Sequence, residues 1–221
     1  MVKLTYLSHA CFLLDDGTHR LIVDPFLTGN PLAAVSAEEV DVNYVFVTHG
    51  HGDHLGDAEA IARRCGAEIC TTIELAESVF TADDLKVTCG NIGGKVSYPF
   101  GSARYFQAIH GSGIAGGLSC GFVFNIGGKK IYHAGDTALM TDMQLLAADK
   151  LDVALLPIGD FYTMGPDQAL RAAKMIGAKM TIPMHYNTFP VIEQDPAAFV
   201  RSVECAGLHA CVIKIGETIT L

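Results

Sequence analysis

Three histidines and one aspartate fall within residues 49–54, His49-Gly50-His51-Gly52-Asp53-His54, directly after the run Val42-Asn43-Tyr44-Val45-Phe46-Val47-Thr48. Imidazole nitrogens and carboxylate oxygens are donors that suit zinc, manganese and iron, so the stretch reads as a metal site whose donors do not by themselves choose the metal. The run before it is short, β-branched and aromatic, as a buried strand is, and the glycines that follow mark a loop. From such a loop His49 and His51 can converge on one ion while Asp53 and His54 turn toward a second. The competing reading is a polar loop without metal. It crowds metal-competent groups together and desolvates them with nothing to offset the cost.

The elements that must position these residues are strand-rich at first and alternating later. Lys3 to Leu7, Cys11 to Leu14, Arg20 to Val23 and Tyr44 to Val47 read as strands separated by turns such as Asp15-Asp16-Gly17. Asp57 is placed to cap a helix running to about Cys65, with Gly66 as its stop. Short strands follow at Glu68 to Thr71, Lys86 to Thr88, Lys95 to Tyr98 and Ala103 to Ala108. Cys120 to Ile126 and Lys130 to His133 form a hairpin around Gly127-Gly128, and Asp152 to Pro157 and Met180 to Pro183 read as buried strands. Pro166-Asp167 opens a helix that stops at Gly177, and Asp195-Pro196 opens another that stops at Gly207. Neither a linker nor a low-complexity segment interrupts the pattern, so a single domain over residues 1–221 is expected.

The His-x-His-x-Asp-His motif after a strand resembles the metallo-β-lactamase superfamily, and further matching segments follow in order. They are Asp24 in Leu21-Ile22-Val23-Asp24-Pro25, His110 in Phe106-Gln107-Ala108-Ile109-His110-Gly111, Asp136 in His133-Ala134-Gly135-Asp136-Thr137, and His185 in Ile182-Pro183-Met184-His185-Tyr186-Asn187. Ser8-His9-Ala10, Asp24-Pro25-Phe26-Leu27-Thr28-Gly29-Asn30-Pro31 and His185-Tyr186-Asn187-Thr188-Phe189-Pro190 further resemble its bacterial and archaeal metal-dependent hydrolase subfamily, akin to the ascorbate-phosphate lactonases. One departure is Asp160, where the resemblance leads us to expect glycine, so the pocket rim differs there.

The resemblance implies a mixed α/β fold, the four-layer αββα sandwich of the metallo-β-lactamase type. It implies that His49, His51 and His110 hold one divalent metal and Asp53, His54 and His185 a second, with Asp136 bridging. Zinc is the foremost candidate for both, and manganese, iron and nickel are compatible. Such a pair lowers the pKa of water toward neutrality and polarises the bond to be cleaved. Asp53 is then a catalytic candidate that orients the nucleophile. His9 is a second, either as a proton donor in the pocket or as a structural partner of the ligands. Histidine at position 51, rather than the glutamate of the di-iron redox branch, favours hydrolysis, and aspartate rather than a thiol at position 136 argues against the main antibiotic-degrading branch. The expected activity is hydrolysis of a small ester, lactone, thioester or phosphodiester. The alternative is a metal-binding sensor or binding protein without turnover.

Other histidines invite blander roles: His133 as a buried structural residue, His19 and His209 at the surface. Asp24 is expected to fix a ligand histidine rather than bind metal, and Tyr186 and Asn187 to touch substrate or merely form the rim. Gly111-Ser112-Gly113-Ile114-Ala115-Gly116-Gly117 lacks the lysine and the strand-to-helix context of a phosphate loop and reads as a mobile loop beside His110.

Composition limits the partners. The net charge is −9 with only 15 Lys and Arg, which provides no cationic footprint for nucleic acid, so the expected partner is a small molecule. No apolar stretch approaches the roughly 18 residues of a membrane span, and no basic-then-apolar leader precedes the first strand, so a cytoplasmic protein without membrane contact is expected. Cys11, Cys65, Cys70, Cys89, Cys120, Cys205 and Cys211 form no Cys-x-x-Cys pair and read as small buried hydrophobes. The positive mean hydropathy is compatible with a buried interface in a homo-oligomer.

Overall fold

Two β-sheets lie face to face, and the directions of their strands decide which ends meet. The structure, a computed structural model, describes residues 1–221. The first sheet contains β1 (Lys3–Ser8), β2 (Cys11–Asp15), β3 (Arg20–Val23), β4 (Tyr44–Phe46), β5 (Glu68–Thr72) and β6 (Lys86–Gly90). The second contains β7 (Lys95–Tyr98), β8 (Gly101–Gln107), β9 (Cys120–Ile126), β10 (Lys129–His133), β11 (Val153–Pro157) and β12 (Met180–Met184). A last strand, β13 (Thr218–Thr220), returns to the first sheet, giving the orders β13-β1-β2-β3-β4-β5-β6 and β12-β11-β10-β9-β8-β7. Inward side chains interdigitate between the sheets, Phe46 standing edge-on to Phe122 and Phe124 at 5.1 and 4.8 Å. Each such fully buried ring contributes about 1.5–3 kcal/mol by leaving water.

Helices cover the outer faces, completing the αββα layering. On the first sheet, α2 (Ala58–Cys65) packs against β4 and β5, and α3 (Ile73–Val79) against β5 and β6. On the second, α4 (Pro166–Ile176) lies on β11 and α5 (Pro196–Cys205) on β12. The α4 face is set by Ala169, Ala172, Ala173 and Ile176, one side of a helix, and Gly177 ends it in the left-handed conformation at φ 63°. Asp195 caps α5, its carboxylate accepting from the amides of Ala197 and Ala198 at 2.9 and 3.0 Å.

Chain direction is reversed by each antiparallel pair and kept by each parallel one. Thus β1, β3 and β4 run the same way in the first sheet, and β8, β10 and β12 the same way in the second. Their carboxyl ends lead directly into His9, Asp24, His49, His110, Asp136 and His185. Backbone hydrogen bonds then stitch these ends together across the sheets: Cys120 N to Thr48 O at 3.1 Å, His185 N to His9 O at 2.7 Å, and Gly50 N to Ser112 O at 2.8 Å.

Several local expectations need correction. Asp57 stands at the head of α2 but does not cap it with its side chain; the carboxylate instead accepts from Leu27 N and Thr28 N at 3.1 and 2.8 Å, bracing the loop after Asp24. The helix α3 has no counterpart in the sequence reading, because it buries only Leu75 and Ala76 and shows little periodicity. The cysteines are all free, but Cys89 and Cys205 are exposed rather than buried. The glycine-rich loop is pinned by Ser112 and packed so closely that a Cβ on Gly113 would stand 2.5 Å from the backbone of Gly50.

Candidate metal centre

His49 and His51 leave the end of β4 in extended backbone, and the single turn α1 (Gly52–Leu55) carries Asp53 and His54 around to the other side. The motif therefore faces two ways, as its spacing suggests. His51 Nδ1 lies 3.0 Å from His49 Nε2 and 3.3 Å from His110 Nε2, which makes one triad. The second group gathers Asp53, His54 and His185 together with His9, and His49, His54 and Asp136 form a third cluster between them. Asp136 joins the groups: its oxygens lie 3.2 Å from His54 Nε2, 3.1 Å from His185 Nε2 and 3.5 Å from His110 Nε2.

Hydrogen bonds from behind decide which nitrogen His49 and His54 present. Thr48 donates its hydroxyl to Asp24 Oδ2 at 2.7 Å and its amide to Asp24 Oδ1 at 2.8 Å. With the hydroxyl proton so used, His49 Nδ1, 3.0 Å from Thr48 Oγ1, is the donor of that pair and its Nε2 keeps a free lone pair. His54 Nδ1 likewise donates to Asp24 Oδ2 at 2.7 Å, leaving Nε2 turned toward Asp136. Asp24 is thus buried behind the donors and touches His54 rather than the cluster itself, as expected.

Charge and burial favour a cation. Burial lowers the His49 imidazole well below its ordinary range, which keeps it neutral and able to ligate. Burial works to raise the carboxyls of Asp53 and Asp136, but the hydrogen bond from His9 and the charge of His54 outweigh it for Asp53, as do the charges of His185 and His54 for Asp136, so both are held well below the usual carboxylate range. His54 is pushed the other way: burial lowers it, yet the neighbouring carboxylates of Asp136 and Asp24 raise it well above the histidine range. Buried His54 Nε2, Asp136 Oδ1 and His185 Nε2 find no hydrogen-bond partner of good geometry although they lie close together. Buried polar atoms are normally paired. Unpaired nitrogens and a carboxylate oxygen pointing at one another fit divalent metal ions.

Left-handed backbone concentrates at this edge. His9 (φ 58°), Asp24 (φ 47°), His185 (φ 56°) and their neighbours Ser8 (φ 110°) and Asn187 (φ 62°) are among the few non-glycine residues at positive φ, where side chains are strained. Gly135 is required for a different reason: a Cβ there would stand 2.7 Å from Cys120 O and 3.1 Å from the Thr48 side chain, wedging apart the strand ends that carry Asp136 and His49. Asp160, where glycine was expected, has φ 69°, a conformation aspartate tolerates better than most residues.

The remaining histidines separate cleanly. His9 is buried between Thr188 Oγ1, 3.0 Å from Nδ1, and Asp53 Oδ2, 3.1 Å from Nε2, so it braces Asp53 from within the wall. Burial pushes its pKa down to about 4, against the hydrogen bond to Asp53. His133 is buried and structural, bonded to Ala10 O at 2.8 Å and accepting from Gly135 N. His209 is exposed and His19 partly so, beside Asp16. Tyr186 packs near Tyr6 in the core, and the Asn187 side chain accepts from Gln194 N at 2.7 Å.

A cavity of about 570 Å³ opens onto the donors, lined by His51, Asp53, His110 and Asp136 and by Phe26, Tyr162 and Phe189. Nothing in the sequence around Phe26, Tyr162 and Phe189 marks them for this role, since a lone aromatic residue in a pocket wall looks the same as one in the core.

Similarity to known proteins agrees with this geometry. A model of the beta-lactamase superfamily domain matches residues 3–185. A UPF0173 metal-dependent hydrolase of Heliobacterium modesticaldum is 50% identical over 234 residues, covering 100% of this chain and 98% of the relative. One from Thermus thermophilus is 44% identical and covered in full on both sides. Among solved structures, that of Igni18, a metallo hydrolase from the archaeon Ignicoccus hospitalis, is 37% identical and superposes with a TM-score of 0.93 over 100% of this chain and 98% of that one. With the motif, the layered fold and full-length relatives in agreement, the chain belongs to the beta-lactamase superfamily and, within it, to the UPF0173 metal-dependent hydrolases.

Proposed function

We propose that this metal-dependent hydrolase is dinuclear, with His49, His51 and His110 holding one divalent cation, Asp53, His54 and His185 the other, and Asp136 shared. The observation that carries the reading is the position of Asp136, buried and within 3.5 Å of histidines from both groups. When bound, a cation pair in such a setting supplies Lewis acidity and brings the ionisation of water toward neutral pH. The donor set suits zinc, with manganese, iron and nickel as further candidates.

The chain's own residues do the rest. Asp53 is ionised, partly exposed and lines the cavity, so one carboxylate oxygen is available to accept a proton from incoming water and orient it. His9 holds that carboxylate from behind through Nε2 and is itself fixed by Thr188; it acts as a positioning residue, because its buried ring does not reach the cavity lining. The aromatic wall excludes water from one side of the cavity and leaves the donors accessible from the other. A solvent-connected cavity of substrate size beside the donors supports turnover over metal sensing.

Elemental analysis of protein purified without added metal, together with an ester, lactone, thioester and phosphodiester panel on wild type and Asp136→Ala, tests the reading. Two equivalents of metal and turnover that disappears in the variant are expected. A single equivalent, or full turnover in Asp136→Ala, overturns the shared-carboxylate arrangement. Tight metal binding with no turnover on any substrate would return the sensor as the better description.

A further inference from the structure

The cavity wall is one-sided in its chemistry. Phe26 and Phe189 stand side by side with centroids 6.2 Å apart, and the buried ring of His9 backs both edge-on at 5.6 and 5.5 Å. Across from the core, Tyr162 contributes to the lining while 53% exposed, and Phe161 beside it is 68% exposed with its ring edge-on at 4.8 Å. Two large rings adjoining in water at a cavity mouth are an apolar surface without its partner. The charged side chains of the lining are Asp53 and Asp136, both anionic, and no lysine or arginine lines it. Both carboxylates belong to the donor set, so an anionic substituent reaching away from the donors would meet aromatic faces with no cationic side chain to receive it, an unfavourable exchange for its hydration.

Resting on the hydrolase reading above, we infer that the substrate is a neutral carboxylic ester, thioester or lactone bearing an apolar group that packs against Phe26 and Phe189 and is covered by Tyr162. Phosphate esters and sugar phosphates are disfavoured by the same wall. Hydrolysis of such an ester consumes one water: its oxygen joins the acyl carbon, the acyl–oxygen (or acyl–sulfur) bond breaks, and a water proton passes to the departing alcohol or thiol, leaving a carboxylic acid. Phe189 and Tyr162 are specificity-determining residues that touch the apolar group and no reacting atom.

Three hydroxamates that share one metal-binding head and differ in the tail separate pocket preference from catalysis. Isothermal titration of the metal-loaded protein with acetohydroxamate, phenylacetohydroxamate and phosphonoacetohydroxamate is expected to give the phenyl tail an advantage of about tenfold over methyl, from burial of one ring, and the phosphonate the weakest binding. Phe189→Leu and Tyr162→Ala should erode the phenyl advantage at unchanged metal content. Tyr162→Arg, at an exposed position where folding is not at stake, should narrow or reverse the gap between phosphonate and phenyl tails. Equal affinity for all tails, or tightest binding of the phosphonate by wild type, overturns the inference. Parallel turnover of p-nitrophenyl butyrate and bis(p-nitrophenyl) phosphate distinguishes its failure from that of the hydrolase reading. Cleavage of the phosphodiester with a reversed hydroxamate order sinks the substrate class alone, whereas the expected hydroxamate order with neither compound cleaved sinks turnover alone.

Discussion

The two ends of the donor array are built by different means. The triad of His49, His51 and His110 is loosely supported: His51 and His110 are half-buried, and only His49 is braced from behind by a side chain, Thr48 at 3.0 Å. The other end is a clasp between sheets. His54 and His185 are buried, Asp24 holds His54 while Thr48 holds Asp24, and His9 reaches from the first sheet both to Asp53 and, through its carbonyl, to the His185 amide. The difference does not follow distance along the chain: His54 and Asp53 belong to the same short motif as His51, yet they are held from behind by Asp24 and His9, while the half-buried His51 and His110 have no supporting side chain.

Breaking the residue common to both ends should have the largest effect. Asp136→Ala is expected to lower kcat/KM by at least about 100-fold, above the usual range for residues that merely support ligands, and to reduce metal content below two equivalents by elemental analysis. Retention of both metals would mean the two ends are independent.

Next in size is removal of the hidden support. Asp24→Ala leaves His54 Nδ1 and both Thr48 donors unpaired in the interior, and should weaken the metal-binding step that uses His54 by about 10–100-fold in titration, with a smaller effect relayed through Thr48 to the His49 step. Equal weakening of both steps would contradict the asymmetry.

Stability of chelator-treated protein sharpens the contrast without any metal. His54→Ala removes the buried imidazole that Asp24 and Asp136 share and should cost about 3–5 kcal/mol, or roughly 6–20 °C in melting temperature for a chain of this size. His51→Ala should cost within about 1 kcal/mol, since no buried partner is abandoned. Similar melting temperatures for the two variants would erase the distinction drawn between the ends. Smallest of all, His209→Ala lies outside both and should change stability by less than about 0.5 kcal/mol, leaving activity unchanged in the same assays.

Much of this was legible from residues alone, for a physical reason. Donor types are chemical facts of the side chains, and period-2 strands, capped helices and glycine stops are local consequences of backbone sterics, so the motif at His49 to His54, its strand, and α4 and α5 could be read directly. Even the facing of the motif in two directions follows from one turn of helix after an extended segment. The helix α3 and the displaced role of Asp57 were not legible, because weak periodicity and a carboxylate with two possible sets of amide donors leave the choice to tertiary contacts.

What the sequence by itself determined is the inventory: which groups can ligate, that they follow strands, and that acidic residues outnumber basic ones to a net charge of −9. Only the tertiary structure decided which nitrogen His49 and His54 offer, that His9 stands behind Asp53 rather than in the cavity, and that Phe26, Phe189 and Tyr162 form its wall. Those properties depend on hydrogen bonds and contacts between residues far apart in the chain, such as His9 with Thr188 and Cys120 with Thr48, whose distances exist only once the two sheets have closed on one another.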